Sequence, residues 1–211
     1  MMEKTVLFDW DGTLWDALTF IEGTYTEVFE MVGLRPWTRQ EYQTRFKHDW
    51  RSLLPEMGLA EHEKLLVTHW EKRLAEQEPR AFKWAAPLLE RLGDVADLAL
   101  VSSAPKTPMI RELDRNGLSG YFKAIIGAED VMELKPSPEP LLLALDMMEK
   151  GREKAAYVGD MAEDIMAARA CGIKSLAVTW GIHEKAVLMA EKPDFMASKP
   201  EKLYDFITES L

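Results

Sequence analysis

Short apolar runs alternate with stretches of helical periodicity over most of the chain. Each run is continuous and is bounded by glycine, hydroxyl-bearing or charged residues, so each predicts a buried strand. The stretches between them carry apolar residues at helical spacing. The predicted strands lie at 6–8, 98–101, 124–126, 155–158, 175–178 and 194–196, and the predicted helices near 87–93, 106–116, 138–149, 162–171, 184–191 and from 200 onward.

Residues 15–80 break this alternation because they carry helical patterns and no convincing strand. Between Ala17 and Met31, apolar residues recur in three- and four-residue steps, which predicts a helix. Thr38 and Glu41 have the spacing of a capping box, in which two side chains cap the start of a helix. Further helices are expected near 39–46, 50–57 and 60–77.

Together these patterns predict an α/β fold with two domains. Strands that alternate with helices of about 10–15 residues indicate right-handed βαβ units, and hence a Rossmann-like core with a parallel sheet and helices on both faces. We assign 1–14 and 81–211 to this core and 15–80 to an inserted all-helical cap domain. Because the insertion follows the first strand directly, we expect the cap to lie over the carboxyl end of that strand.

Two acidic residues follow the first predicted strand. Asp9 and Asp11 stand one residue apart where the strand ends, and Gly12 lets the chain turn. In open α/β sheets, this edge is where ligands bind. Two carboxylates held together repel each other unless a cation joins them, and a divalent metal ion is the usual solution. The pair therefore indicates a metal-binding edge.

The other strand ends supply groups that suit phosphate chemistry. Carboxylates are suitable ligands for Mg²⁺, whereas a hydroxyl group, exposed N–H groups and a lysine suit a phosphoryl dianion. A carboxylate can also attack phosphorus, and a second one two residues away can move the proton of the leaving group. The groups in question are Ser102 and Ser103 after the second strand, Lys135 after the third, and Asp160 and Asp164 after the fourth.

The composition restricts the partners of such a site. The chain has 211 residues, a formal net charge of -10 and a pI near 5.0, which disfavours nucleic acid and anionic membranes as ligands. No run approaches the roughly 18 apolar residues of a membrane span. Because a strand is predicted close to the first residue, we expect no secretory signal. The single cysteine, Cys171, suits a reducing cytoplasm. We expect a cytoplasmic monomer or homodimer that acts on a small phosphorylated metabolite.

The polar motifs, taken in order, resemble those of the haloacid dehalogenase-like hydrolase superfamily. The resemblance extends from residue 6 to about 180 and is to the phosphatase branch with a helical cap after the first strand, such as phosphoglycolate phosphatases. It implies Mg²⁺-dependent hydrolysis of small anionic phosphomonoesters through an aspartyl-phosphate. The motifs are Asp9-Trp10-Asp11-Gly12-Thr13-Leu14, Val101-Ser102-Ser103, Leu134-Lys135-Pro136, and Gly159-Asp160 with Asp164.

The resemblance also implies a role for each motif residue. Asp9 would be the nucleophile and a metal ligand. Asp11 would be the acid and base, with its backbone carbonyl on the metal; the dehalogenase branch lacks an acid at this position, so dehalogenation is disfavoured. Ser102 and the backbone N–H of Ser103 would bind the transferring phosphoryl group, and Lys135 would pair with that group and the nucleophile.

The remaining motif residues would complete the metal site and its support. Asp160 would ligate Mg²⁺, and Asp164 would be a ligand or lie just behind the ligands. Thr13, which we count among the phosphate-binding residues, would support the turn at the nucleophile. The chain departs from the common pattern at Trp10, whose side chain we expect to pack in the core, and at Ser103, where asparagine is frequent.

Three residues of the predicted cap are candidate substrate contacts. Trp15 follows the catalytic loop at the expected hinge between the domains. Lys47 and Arg51 belong to a basic cluster with Arg45 and His48, which could face either the site or solvent. An acidic leaving group would favour such residues at the site.

Three other functions remain open at this point. A sugar-phosphate phosphomutase of the same superfamily would use the same aspartate, and a phosphonatase would need a Schiff-base lysine in the cap, for which Lys47 is the candidate. A phospho-acceptor signalling module also gathers acids, a hydroxyl group and a lysine at the ends of a parallel sheet. The large cap argues against the signalling module, because such modules leave their aspartate open to partners.

Overall fold

A single parallel sheet forms the centre of the molecule. The structure is a computed structural model that describes residues 2–77 and 79–211. Its strands are β1 (Lys4–Phe8), β2 (Ala96–Val101), β3 (Ala124–Ile126), β4 (Ala155–Gly159), β5 (Lys174–Val178) and β6 (Phe195–Ala197), and their order in the sheet is β3-β2-β1-β4-β5-β6. Each strand coincides with one of the predicted apolar runs, so the predicted parallel α/β sheet is confirmed.

Helices occupy most of the chain between the strands. Before β2 lie α1 (Ala17–Met31), α2 (Arg39–Arg45), α3 (Leu54–Met57), α4 (Glu63–Gln77) and α5 (Ala85–Gly93). The later helices are α6 (Lys106–Arg115), α7 (Glu139–Met147), α8 (Ala162–Cys171), α9 (Lys185–Ala190) and α10 (Pro200–Ser210).

The strand order reverses direction between β1 and β4, next to the first strand of the chain. Phe8, the last residue of β1, pairs with Leu100 of β2 and with Val158 of β4. The three central strands therefore end at the same level, and the residues that follow them share one edge. A reversal of strand order opens a crevice at the carboxyl ends of the strands, which is where open α/β sheets bind ligands.

Alternate side chains of β1 face two different layers of helices. Val6 and Phe8 belong to an apolar cluster that includes Leu92 of α5, and Leu7 belongs to a second cluster that includes Leu141 of α7. Each of these side chains is fully buried or nearly so, which contributes about 1.5–3 kcal/mol per large apolar residue. The predicted helices on both faces of the sheet are thus confirmed.

Residues 17–77, called the helical segment below, follow the first strand and contain helices without a strand of the sheet. Aromatic rings fill its interior: Tyr25 packs edge-on against Tyr42 at 6.0 Å and against Phe46 at 6.1 Å between ring centroids. The predicted capping box at Thr38 and Glu41 is present. The assignment of 15–80 to a separate cap domain stays a prediction.

One helix of the segment is less regular than its periodicity predicts. Residues 50–57 form a 3₁₀ turn, Trp50–Leu53, followed by the short helix α3. Pro55 lies in the first turn of α3, where its missing N–H group does no harm, but it cannot continue a helix that begins at residue 50. Gly58 ends the element in a left-handed conformation with φ of 74°.

Two antiparallel linkers join the helical segment to the sheet: the first passes through residues 14–15 and the second through residues 81–82. The N–H group of Phe82 donates to the carbonyl of Leu14 at 2.8 Å, and Trp15 forms a bridge with Ala81. Asn116, at the end of α6, accepts a hydrogen bond from the N–H of Ala81 at 2.9 Å. The entering and returning chains are therefore fixed to each other and to the core.

Candidate active site

The turn after β1 holds Asp9 at the edge of the sheet. Its N–H group continues the ladder by donating to the carbonyl of Val158 at 2.9 Å, and its side chain is fully buried. Gly12 follows in a left-handed conformation with φ of 81°, and a Cβ atom there would collide with the carboxylate of Asp160. Only glycine therefore allows the turn to bring Asp9 and Asp160 this close together.

A buried lysine contacts the Asp9 carboxylate. The Nζ atom of Lys135 lies 2.7 Å from Asp9 Oδ1, 2.7 Å from Asp164 Oδ1 and 2.7 Å from the hydroxyl oxygen of Tyr157. That hydroxyl in turn donates to the carbonyl of Val101 at 2.8 Å. Burial alone would lower the pKa of Lys135, but Asp164 and Asp9 raise it well above its ordinary value. The lysine therefore keeps its positive charge in the interior.

Asp160 and Asp164 are held by separate groups after β4. Asp160 Oδ1 accepts from the Thr13 hydroxyl at 2.9 Å, and Asp160 Oδ2 accepts from the N–H of Ile182 at 2.6 Å. Asp164 Oδ2 accepts from the N–H groups of Asp160 at 3.1 Å and Met161 at 2.9 Å. Thr13, predicted among the phosphate-binding residues, is thus a hydrogen-bond partner of Asp160.

Three carboxylates form a group that fits a hard divalent cation. Oxygen atoms of Asp9, Asp160 and Asp164 lie within 4.8 Å of one another, and all three residues are buried. Asp9 Oδ2 is buried and has no hydrogen-bond partner among the described residues. Burial raises the pKa of Asp9, while the charge of Lys135 opposes that rise. An unpartnered buried oxygen beside two further carboxylates is the donor set that such a cation prefers.

Asp11 lies in different surroundings from Asp9. It is half-buried, and its Oδ1 atom accepts from the indole N–H of Trp15 at 2.9 Å. Burial and the negative charges of Asp9 and Glu112 raise the pKa of Asp11 to about 7. A carboxyl group with such a pKa exchanges a proton readily near neutral pH. Its carboxylate is not part of the three-carboxylate group described above.

Ser102 and Ser103 follow β2 at the same edge. Ser102 is buried; its N–H group donates to the carbonyl of Ile126 at 3.0 Å, and its hydroxyl oxygen accepts from the N–H of Ala104 at 3.1 Å. The Ser103 hydroxyl is buried and unpartnered among the described residues. A buried hydroxyl without a partner costs free energy unless a ligand satisfies it.

The helical segment reaches this edge through histidine contacts. His48 Nε2 lies 3.1 Å from Asp164 Oδ1, and the His48 side chain is 8% exposed. His183, from the loop after β5, accepts from the N–H of Ala162 through Nδ1 at 3.0 Å and contacts the carbonyl of Phe46 through Nε2 at 2.8 Å. The segment is therefore docked on the carboxyl ends of the strands.

The structure places the three candidate cap contacts differently. Trp15 is buried and contacts Asp11. Arg51 donates to Glu63 at 2.7 Å and stacks on the ring of Trp50, and Lys47 is exposed. Within the described part of the chain, neither basic side chain makes a hydrogen bond or ion pair with the three carboxylates. Their contact with a substrate stays a prediction.

Sequence reasoning missed two side chains that complete the site. His48 belonged to the basic cluster that the sequence indicated, but no pattern distinguished it from its neighbours. Tyr157 lies inside the apolar strand β4, and its hydroxyl group was the only signal of a polar role. Both contacts join residues far apart in the chain, so only the folded arrangement shows them.

Three comparisons relate the chain to known proteins. The model of the family described as haloacid dehalogenase-like hydrolase matches residues 6–178. Pyrophosphatase PpaX from Bacillus cereus (strain B4264) is 28% identical over 218 residues, which cover 99% of this chain and 98% of that relative.

Solved structures share the whole fold. A haloacid dehalogenase-like family hydrolase from Streptococcus pneumoniae superposes with a TM-score of 0.83 at 24% identity and covers 96% of this chain and 97% of its own. A predicted phosphoglycolate phosphatase from Haemophilus somnus 129pt gives a TM-score of 0.83 at 20% identity, with 96% and 97% covered. At these identities the structures show the fold alone.

Proposed function

The chain belongs to the haloacid dehalogenase-like hydrolase family, and from this premise we propose that it is a Mg²⁺-dependent phosphatase for small phosphomonoesters. The observation that carries the proposal is the convergence of Asp9, Lys135 and Ser103 at one sheet edge. There a buried carboxylate oxygen and a buried hydroxyl group lack partners among the described residues, and a lysine cation lies beside the carboxylate. Such a set suits a phosphoryl group.

In the first step, an oxygen of Asp9 attacks the phosphorus atom of the ester. A bond forms between Asp9 and phosphorus, and the bond from phosphorus to the leaving oxygen breaks with its electron pair. Asp11 donates its proton to that oxygen, so an alcohol departs instead of an alkoxide. The pKa of Asp11, raised to about 7, allows the group to hold this proton near neutral pH.

In the second step, Asp11 takes a proton from water as the water oxygen attacks the same phosphorus atom. The bond between Asp9 and phosphorus breaks. Inorganic phosphate leaves, and the Asp9 carboxylate is regenerated. Asp11 is thereby protonated again for the next cycle. Lys135, which stays charged because Asp164 and Asp9 raise its pKa, offsets negative charge on the phosphoryl group throughout.

The carboxylates of Asp9 and Asp160 and the backbone carbonyl of Asp11 would hold Mg²⁺, with Asp164 as a ligand or just behind the ligands. When bound, the ion would neutralise charge on the phosphoryl oxygens. Asp164 already accepts hydrogen bonds at both oxygens, from Lys135 and His48 at Oδ1 and from two backbone N–H groups at Oδ2. Each Asp164 oxygen thus accepts two hydrogen bonds, whereas each Asp160 oxygen accepts one, which favours the supporting role for Asp164.

We propose that the helical segment acts as a cap that excludes water and recognises the leaving group. Its contacts through His48 and Phe46 to the strand ends support this role. Small anionic phosphomonoesters such as phosphoglycolate are the leading substrate class. Pyrophosphate is the second candidate, because a pyrophosphatase is 28% identical over 99% of the chain.

A substrate panel tests the proposed function. Purified protein with Mg²⁺ is assayed for phosphate release from p-nitrophenyl phosphate, phosphoglycolate, pyrophosphate and a hexose 1-phosphate. We expect many turnovers per chain, loss of more than about a thousandfold in Asp9→Asn, and normal turnover in Asp205→Asn, which changes an exposed aspartate far along the chain.

Other results of the substrate panel would contradict the proposal or indicate another function. Activity retained in Asp9→Asn, or retained in excess EDTA, contradicts the proposed nucleophile or the proposed metal dependence. One p-nitrophenol released per chain, with the phosphoryl group retained on the protein, indicates a phospho-acceptor module. A hexose 1-phosphate isomerised without phosphate release indicates a phosphomutase.

A further inference from the structure

Trp15 connects the proposed acid and base to the linkers of the helical segment. Its indole N–H donates to Asp11 Oδ1 at 2.9 Å, while its backbone pairs with Ala81 on the returning chain. The side chain is 4% exposed, although it lies next to the catalytic edge. One residue therefore contacts both Asp11 and the second linker.

The loop from Asp11 to Trp15 is closed on itself. The N–H of Gly12 donates to the carbonyl of Trp15 at 3.1 Å, and Asp11 and Trp15 form a parallel bridge. The indole ring lies between Trp10, at 6.3 Å, and Phe20 of α1, at 5.7 Å between ring centroids. Apolar packing therefore fixes the direction of the indole N–H group.

This contact can orient the Asp11 carboxyl group without offering it a site for its proton. Among the described residues, Trp15 supplies the side-chain hydrogen bond to the Asp11 carboxyl group. An indole N–H group donates and cannot accept a proton. The contact therefore orients Asp11, and Trp15 cannot take the proton that Asp11 donates.

We propose that Trp15 is a positioning residue for Asp11, which aims the carboxyl group at the leaving oxygen while its backbone joins the two linkers. The proposal rests on the proposed phosphatase function. In it, Trp15 affects catalysis only by orienting Asp11. Because Trp15 also pairs with Ala81, the residue that orients Asp11 is fixed to the chain that returns from the helical segment.

The matched variants are Trp15→Phe and Trp10→Phe. Both remove one indole N–H that donates at 2.9 Å to a carboxylate, but the acceptor of Trp10 is Glu112 instead of Asp11. The substrates are p-nitrophenyl phosphate, whose leaving group needs no proton, and phosphoglycolate or another alkyl phosphomonoester that the wild type hydrolyses. The measured quantity is kcat/KM, because it reports phosphoryl transfer to Asp9 and not the later hydrolysis.

We expect Trp15→Phe to lower kcat/KM for the alkyl ester about tenfold and for p-nitrophenyl phosphate less than about twofold. Trp10→Phe should change the two substrates by the same factor. In an Asp11→Asn background, Trp15→Phe should have no further effect on the alkyl ester, since two residues that act through one group are not additive.

Equal losses on both substrates, or an undiminished loss in the Asp11→Asn background, would overturn the proposal. Thermal melting checks that each variant folds, and Trp15→Met, which also lacks the N–H donor, replaces Trp15→Phe with the same expected results if the latter unfolds. Failure of the phosphatase function itself looks different: the wild type would release no phosphate, or Asp9→Asn would still release it.

Discussion

At the scale of single residues, Asp9 and Asp11 are close in the chain but have different surroundings. Lys135 Nζ lies 2.7 Å from Asp9, whereas Asp11 accepts a hydrogen bond from the neutral indole of Trp15. Burial raises the pKa of both acids, but the lysine opposes the rise at Asp9 alone. Environments that separate the pKa values of two acids allow one to attack while the other carries a proton.

The pKa of Asp11 predicts a pH dependence that the substrate can reveal. Phosphoryl transfer to Asp9 needs protonated Asp11 only when the leaving group is poor, and the protonated fraction falls as the pH rises through about 7. We expect kcat/KM for an alkyl phosphomonoester to decline above this pH, while kcat/KM for p-nitrophenyl phosphate does not. Initial rates measured across the pH range check this.

Asp11→Asn serves as the control for that profile. It should remove the alkaline decline for the alkyl ester, because no carboxyl proton remains to be lost. A decline of the same shape in Asp11→Asn would assign the titration to another group.

The motif residues could be found from the sequence because each follows a strand, whereas their partners could not. Asp9, Lys135 and Asp164 are predicted from three separate strand ends, and the structure joins them through one ammonium group. His48 is 116 residues from Asp164 in the chain, so no local pattern encodes their contact. Such contacts depend on how the helical segment docks.

At the scale of elements, that docking uses the end of α2 and the loop between α2 and the turn Trp50–Leu53. His48 reaches Asp164 from this loop, and the nearby carbonyl of Phe46 contacts His183. The N–H of Glu184 also donates to the carbonyl of Gln43 at 3.0 Å. Three contacts from one short stretch hold the segment over the ends of β4 and β5.

We therefore predict that His48→Ala weakens the docked state of the segment. A hydrogen bond to a charged group contributes about 1.5–3 kcal/mol, so kcat/KM for small phosphomonoesters should fall by about ten- to a hundredfold. Steady-state kinetics on the preferred ester measure the loss. His62→Ala, in the turn Ala60–His62 of the same segment, is the matched control and should retain wild-type kinetics. Identical kinetics in the two variants would contradict a specific role for His48.

The elements themselves were predictable wherever the apolar pattern is regular. All strands of the sheet and helices such as α8 coincide with the predicted stretches. A buried face requires apolar residues at the spacing of its strand or helix, and this spacing is visible in the sequence. The 3₁₀ turn before α3 was not predicted, since Pro55 and Gly58 interrupt a pattern that otherwise favours one helix. Such residues change the local backbone geometry, but they leave the helical spacing of the apolar residues unchanged.

At the scale of the whole molecule, the chain is acidic, whereas its proposed substrate is an anion. The formal net charge is -10, so attraction must come from the site and not from the surface as a whole. Lys135 and the proposed Mg²⁺ would supply that local positive charge. In the described part of the chain, no helix has the length and apolar character needed to cross a membrane. The cytoplasmic location and the oligomeric state stay predictions.

The central claim, that Asp9 carries the phosphoryl group, is tested most directly by isolating the intermediate. Asp11→Asn enzyme is mixed with p-nitrophenyl phosphate and Mg²⁺ and quenched in acid, because this variant can form the intermediate but has lost the base for its hydrolysis. Mass spectrometry then maps the phosphoryl group. We predict a phosphoryl group on Asp9 in a large fraction of the chains. Release of p-nitrophenol with Asp9 unmodified, or a phosphoryl group on another residue, would contradict the account.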